Sequence, residues 1–231
     1  MASKSKIAVL TGAGISAESG ISTFRDSNGL WENHDIMEVA SYHGWLKNKG
    51  LVLNFYNDRR RQLKEVQPNV GHLGLVELAS QFDVTVITQN VDDLHERAGS
   101  KNIIHLHGEL NKARSTTDER LVYDWFDDLK IGDLCEKGSQ LRPHIVWFGE
   151  MVPLLDIAAN VVENADIVVI IGTSMQVYPA ASLVDYANFG IPIYYIDPKP
   201  AINTGLKMSN NFKVIEEPAT IGVQLLLDEL M

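Results

Sequence analysis

Apolar positions in this chain fall into runs and not into alternations. "KIAVLT", "FDVTVIT", "NIIHLHG", "HIVWFG", "ADIVVIIGTS", "IPIYYID" and "FKVIEE" are short stretches rich in Val and Ile, separated by amphipathic or polar sequence. A strand with one wet face alternates apolar and polar residues, whereas a strand buried on both faces does not. The pattern predicts a parallel sheet covered by helices on both sides, a doubly wound, Rossmann-like α/β fold. Two regions break the rhythm: a helical stretch from about Asp35 to Leu78, and a polar, irregular one from about Gly108 to Gln140 containing "NKARSTTDER" and "CEKGSQ". Read as insertions, they form a smaller lobe of about 35–78 and 109–140, leaving about 1–34, 79–108 and 141–231 to the Rossmann-like lobe.

Composition narrows the picture. With 231 residues, 45% hydrophobic and 22% charged, the chain is long enough for one large core with a small lobe beside it. The opening "MASKSKIAVL" is too short and too polar for a signal peptide, and no window approaches the ~20 apolar residues of a membrane span, so a cytoplasmic protein without a membrane partner is expected. A formal charge of −10 argues against nucleic-acid binding, which needs a basic face. A single cysteine, Cys135, excludes an internal disulfide framework and a Cys-rich zinc site.

Four clusters of polar and small residues each follow an apolar run, at the strand ends where open α/β sheets bind ligands. In "TGAGISAESGISTFR", Gly12, Gly14 and Ala17 satisfy the G-x-G-x-x-A pattern that brings a dinucleotide phosphate to a helix N-terminus, and Phe24 and Arg25 supply an aromatic cover and a cation. A structural turn without ligand gives the same glycines. In "TQNVDDLHERAG", Gln89, Asn90 and Asp92 suit a carboxamide or ribose hydroxyls, or else cap the next helix. His107 in "HLHGEL" is suited to take up a proton near neutral pH, although a lone histidine at a strand end is more often structural. Gly172, Thr173 and Ser174 in "GTSMQVYPAASL" allow close approach of a phosphate or ribose. In a parallel sheet the four clusters converge on one crevice.

These motifs, with "RPHIVWFGE" and in this order over nearly the whole chain, closely resemble the sirtuins, NAD-dependent protein-lysine deacylases, and above all their class III, sirtuin-5-like branch. The resemblance implies a single catalytic domain in which NAD is cleaved as a co-substrate. The acyl-lysine carbonyl oxygen attacks the nicotinamide ribose and nicotinamide leaves. His107 as base then lets a ribose hydroxyl attack the imidate, which yields free lysine and O-acyl-ADP-ribose. Asn90 and Asp92 hold the carboxamide. Gly12, Ala13, Gly14, Glu18, Thr23, Phe24, Arg25, Trp31, Gln89, Gly172, Thr173 and Ser174 line the rest of the NAD path, with Asp197 and Ala219 near the adenosine. The stretches "WFGE" and "GTSMQVYP" are expected as strands that sandwich the acylated peptide, through Val146, Phe148, Gly149, Glu150, Val177 and Tyr178. Ser22 stands where many sirtuins have proline, which loosens the cofactor loop.

Acyl selectivity and metal content follow from two further stretches. In "GLVLNFYNDRRRQL", Val52, Tyr56, Arg59 and Leu63 share helical spacing, which puts an arginine on an apolar stripe. Either Arg59 snorkels to solvent, or Tyr56 and Arg59 clamp an acyl carboxylate, as the Tyr-x-x-Arg pair of class III sirtuins does for succinyl and malonyl groups. The family's structural zinc uses two Cys-x-x-Cys pairs, but here Ser115–Asp118 occupy the first and Cys135 alone remains of the second. A zinc-free lobe held by burial of Leu121, Tyr123, Trp125, Phe126 and Leu134 is expected. The alternatives to a desuccinylase or demalonylase are a plain deacetylase, an ADP-ribosyltransferase and a non-catalytic NAD sensor.

Overall fold

The computed structural model describes residues 4–23, 30–31, 34–202, 206 and 211–231. Strand β1 (Lys6–Thr11) is followed by a one-turn helix α1 (Gly14–Ala17), a short antiparallel pair β2 (Leu30–Trp31) and β3 (His34–Asp35), and helices α2 (Ile36–Val39), α3 (Tyr42–Lys47), α4 (Lys49–Glu65) and α5 (Val70–Gln81). Next come β4 (Asp83–Thr88), α6 (Leu94–Ala98), β5 (Ile103–His105), β6 (Gly108–Ser115), β7 (Val122–Asp124) and β8 (Leu141–Ile145). The chain closes through α7 (Leu155–Glu163), β9 (Ile167–Ile171), a 3-10 turn (Ala180–Tyr186), β10 (Ile193–Ile196), β11 (Phe212–Ile215) and α8 (Ala219–Leu230).

Six strands form the expected parallel sheet, in the order β11-β10-β9-β1-β4-β5. Successive side chains of β1 point to opposite faces, and both faces are dry. Ile7 and Val9 pack with Leu75 and Leu78 of α5 and with Val223 and Leu226 of α8. Ala8 and Leu10 pack with Ala158 and Val162 of α7 and with Leu183. This two-sided burial is what the uninterrupted apolar runs encode.

The small lobe is a three-stranded antiparallel sheet, β7-β6-β8, on which α2, α3 and α4 pack. Its core holds Trp45, Phe55, Tyr56, Leu129, Leu141 and Trp147, and each large apolar side chain buried here contributes roughly 1.5–3 kcal/mol. Asn48 starts α4 by accepting the Leu51 N–H at 3.0 Å. The lobe is tied to α4 by Arg60, only 1% exposed, whose Nε–H donates to the Leu110 carbonyl at 2.8 Å and whose Nη1 donates to Asn57 Oδ1 at 2.8 Å. Asn57 in turn exchanges two bonds with the backbone of Leu129.

Three expectations need correction. The run "HIVWFG" is not part of the parallel sheet: β8 pairs antiparallel with β6, so the chain from Leu141 to Ile145 belongs to the small sheet. Pro143 lacks a ladder donor and suits this edge position. Helix α5, assigned with the small lobe, lies on the parallel sheet, because Leu75 and Leu78 belong to that core. Phe126 and Leu134 do not hold the lobe together, since they are 57% and 54% exposed. Leu129 and Cys135 take the buried places, with Leu121, Tyr123 and Trp125 partly buried against them as expected.

Candidate active site

The sheet reverses its winding between β1 and β9: β4 and β5 lie to one side of this pair, β10 and β11 to the other. The carboxyl ends of strands at such a switch point open into the ligand crevice of α/β folds. Gly12 and Gly172 are the first residues beyond β1 and β9, and the two loops press backbone on backbone there. The Gly12 N–H donates to the Ile171 carbonyl at 3.0 Å, and the Gly14 N–H to the Gly172 carbonyl at 2.8 Å. A Cβ on Gly14 would lie 2.5 Å from Gly172 Cα, and one on Gly172, at φ +60°, would lie 2.4 Å from the Ile15 nitrogen. These glycines therefore serve loop-to-loop packing as well as any approach by a ligand. Ala13, half-buried, stands at the start of α1 between them.

Beside them lies a hub at a residue absent from the expected set, Ser16. Its hydroxyl donates to Asp92 Oδ2 at 3.0 Å and accepts from Asn90 Nδ2 at 3.1 Å. A third partner, His72 Nε2, lies 3.5 Å away. His72 Nδ1 accepts the Asn69 N–H at the cap of α5, so its proton is on Nε2 and points at Ser16. Asp92 also accepts the Leu94 N–H at 3.2 Å, which makes the helix-capping reading correct as far as it goes. Burial pushes the Asp92 carboxyl up to about 6, against the pull of its two hydrogen bonds. Burial holds His72 neutral, down to about 4, and His95, whose Nε2 meets Thr11 Oγ1 at 3.1 Å, down to about 3. The position of Ser16 inside the glycine motif was the one sequence signal for its role.

Gln89 joins three strand ends. Its backbone N–H donates to the Thr11 carbonyl, its side-chain Nε2 donates to Thr173 Oγ1 at 3.1 Å, and its carbonyl accepts His107 Nδ1–H at 3.0 Å. That last bond fixes the His107 tautomer and leaves Nε2 as the basic nitrogen. Burial lowers the His107 pKa, partly opposed by the bond to Gln89, so the imidazole is a neutral base at physiological pH. Gly12, Gly14, Gln89, Asn90, Asp92, His107, Gly172 and Thr173 are thus gathered at the ends of β1, β4, β5 and β9.

The remaining residues lie around this centre. Ser174 is half-buried after Thr173, and buried Asp197 at the end of β10 accepts the Lys199 N–H at 2.7 Å. Ala219 opens α8 and is buried. Both oxygens of Glu18 are engaged by Thr220, at its backbone N–H and its hydroxyl. Thr23 is half-buried, whereas Phe24, Arg25 and the side chain of Trp31 lie outside the described residues. After β8, half-buried Val146 donates its N–H to the His107 carbonyl at 2.9 Å, and Phe148, 42% exposed, donates its N–H to the Ala40 carbonyl. "WFGE" and "GTSMQVYP" are not strands: Gly149 at φ +89° and Met175 at φ +53° turn the chain. Half-buried Val177 and exposed Tyr178 follow that second turn. The Glu150 carboxylate is spent within the fold, on Arg142, Arg114 and the Trp147 N–H.

On α4, Tyr56 is fully buried and accepts Trp147 Nε1–H at 2.9 Å, with burial first among the causes that hold its hydroxyl un-ionised. Arg59 is half-buried, its guanidinium carbon 4.7 Å from the ring centre of Phe55, an i,i+4 pair. Its Nε is buried and has no acceptor among the described residues. Phe55, not Tyr56, is therefore the ring beneath the arginine.

The counterpart of a zinc site is closed by hydrogen bonds. Cys135 Sγ donates to Ser115 Oγ at 3.4 Å, the Thr117 and Ser139 hydroxyls are 2.7 Å apart, and Asp118 is paired with Arg120 and Lys137. Among the described residues no group of three or more His, Cys, Asp or Glu is placed to hold a metal, and one thiol does not fit a four-Cys zinc centre.

Comparison with known proteins decides the family. The Sir2 family profile matches residues 12–179, most of the chain. The chain belongs to the Sir2 family. This sirtuin is 59% identical over 225 residues to an NAD-dependent protein deacylase of Helicobacter pylori, covering 97% of each chain. It is 52% identical to a protein of the same name from Bacteroides thetaiotaomicron, covering 94% of each. Among solved structures it matches a Sir2 homolog–NAD complex with TM-score 0.83 and 38% identity, over 98% of this chain and 89% of that one. It is a sirtuin enzyme of the NAD-dependent protein deacylase kind. The glycine contact at the switch point and the Ser16–Asn90–Asp92 hub fit a dinucleotide, and no described helix is long and apolar enough to cross a membrane.

Proposed function

We propose that this sirtuin, as a class III enzyme of the cytoplasm, removes negatively charged acyl groups, succinyl and malonyl, from protein lysines in preference to acetyl. NAD supplies the ribose that receives the acyl group. Asn90 and Asp92 hold the carboxamide through the Ser16 hub. Gln89 and Thr173 orient the ribose side, and Gly12, Ala13, Gly14 and Ser174 lie along the phosphates. Thr23, Phe24, Arg25 and Trp31 cover the cofactor, with Asp197 and Ala219 toward the adenosine. His107 Nε2 takes the ribose hydroxyl proton, which its neutral state and fixed tautomer allow. The peptide lies along Val146, Phe148, Gly149, Val177 and Tyr178. The small lobe works without zinc, its ribbon closed by Ser115, Thr117, Cys135 and Ser139.

The observation that carries the acyl preference is Arg59: a partly buried guanidinium stacked on Phe55, with a buried Nε that has no acceptor among the described residues. A buried donor without an acceptor costs about 1–3 kcal/mol, which an acyl carboxylate offsets and an acetyl methyl does not. The test is mass spectrometry of one peptide in its succinyl-lysine and acetyl-lysine forms, with and without NAD. Faster NAD-dependent loss of succinyl, reversed by Arg59→Met, is expected. Equal or faster loss of acetyl refutes the preference and leaves a deacetylase. Loss of neither, with ADP-ribose appearing on the peptide, refutes the deacylase reading for this chain.

A further inference from the structure

His105 closes β5 two residues before His107, and the two imidazoles grip neighbouring carbonyls of one loop. His107 Nδ1 bonds the Gln89 oxygen at 3.0 Å, and His105 Nδ1 bonds the Asn90 oxygen at 3.3 Å. The other nitrogen of His105, Nε2, lies 2.6 Å from Glu96 Oε1 on α6. Both partners of His105, a carbonyl and a carboxylate, can only accept. A neutral imidazole has one N–H, so only the imidazolium satisfies both. The side chain is 8% exposed, so this cation is held inside the protein by what surrounds it. Facing it are Glu96 and buried, neutral His95 from α6, Asp92 from the loop, and Glu109 from β6, itself paired with Lys112 at 2.8 Å. Burial opposes the charge, yet Glu96 and then Glu109 raise the His105 pKa above the ordinary imidazole value.

We propose that His105 and Glu96 form a positioning device for the Gln89–Asp92 loop: a buried imidazolium that anchors the Asn90 carbonyl and so sets the Asn90 amide and the Asp92 carboxylate. The inference rests on the assignment of Asn90 and Asp92 to the nicotinamide side of the site. His105 touches no reacting atom in this scheme. When it loses its proton at alkaline pH, one of its two bonds is lost. The loop relaxes, and turnover limited by NAD slows while peptide binding does not.

Two measurements on the full chain test this. Ring-nitrogen NMR of histidine-labelled protein, with His105 assigned by its absence in His105→Gln, is expected to show both nitrogens protonated at pH 7.5. The midpoint should fall by about one pH unit or more in Glu96→Gln, where a neutral partner replaces the carboxylate. In nicotinamide-release assays with an acyl-lysine peptide, the alkaline limb of kcat/KM for NAD should move down with that midpoint. KM for the peptide should stay near wild type, and the deficit of the variant should narrow as pH falls through the lowered midpoint. A neutral His105 at pH 7.5 overturns the proposal, as does an alkaline limb that stays put while the midpoint moves, or a loss in Glu96→Gln that is equal at every pH. Asn90→Ala separates the failures: if it keeps NAD turnover, the assignment of Asn90 falls and the proposal with it. If it loses turnover and the limb still does not move, the positioning role alone falls.

Discussion

Replacing Ser16 by alanine removes one hydroxyl and strands three groups. Asp92 loses its 3.0 Å donor, and Asn90 Nδ2 and His72 Nε2 lose their acceptor. A hydrogen bond to a buried carboxylate contributes about 1.5–3 kcal/mol, and a neutral one about 1 kcal/mol. The cost therefore depends on whether Asp92 is charged. Its carboxyl titrates at about 6 in the folded chain against an ordinary 3.8, so the folded state favours the proton. Stability from this group is complete below about pH 4 and is lost as pH rises through about 6. Without the Ser16 donor the folded pKa climbs by about one to two further units, and the loss continues to about pH 7–8. At roughly 2–4 °C per kcal/mol for a domain of this size, the Asp92 bond alone accounts for a Tm loss of roughly 2–4 °C at pH 5 and roughly 3–12 °C at pH 8 in Ser16→Ala, on top of a loss from Asn90 and neutral His72 that is the same at both pH values. Differential scanning fluorimetry of both proteins across this range reads the difference. A deficit that is constant with pH, or larger at pH 5, refutes the account of Asp92 as a carboxylate held by Ser16.

Other outcomes follow from the same geometry. Gly172→Ala, which drives a Cβ into the Ile15 nitrogen at φ +60°, should cost about 2–5 kcal/mol in urea unfolding and raise KM for NAD; an unchanged midpoint refutes the close packing of the two loops. His107→Ala should cut deacylation about 10²–10⁴-fold while nicotinamide exchange falls less, and equal losses in both assays refute its role as base. Because burial depresses the His107 pKa, its neutral form persists as pH falls below 6.5, so the acid limb of kcat/KM should lie below that value; a limb above it contradicts the environment described for the ring. Purified protein should carry no stoichiometric zinc and keep its Tm in EDTA, and one zinc per chain by elemental analysis refutes the zinc-free lobe.

What the sequence made legible was whatever burial writes into composition. β1, β4, β9 and β10 are dry on both faces, so their apolar runs announced a parallel sheet, and the clusters after them fell where such sheets bind ligands. "HIVWFG" has the same composition but belongs to an antiparallel edge; Pro143 was the available clue. The three arginines 59–61 look alike in sequence and differ entirely in place. Arg59 stacks on Phe55, Arg60 is buried against Leu110 and Asn57, and Arg61 pairs with Asp58 and Asp128 at the surface. One residue is about 100° of helix rotation, so which arginine faces inward depends on a tertiary contact that periodicity alone does not resolve. Ser16 escaped notice because a serine within a glycine-rich turn is unremarkable until Asn90 and Asp92 are folded against it.

The buried Arg60 limits how this enzyme can change. Arg59 and Arg60 are consecutive on α4, one lying over Phe55 and the other bolting the helix to the small sheet through Leu110. Under the role proposed for Arg59, substitutions at position 59 alter selectivity and leave the attachment through Arg60 intact. An insertion or deletion in the first half of α4 turns both residues together by about 100°, so the lobe loses its anchor in the same event that moves Arg59. The acyl preference proposed here is therefore open to change by exchanging side chains on a fixed helix and not by shifting its frame.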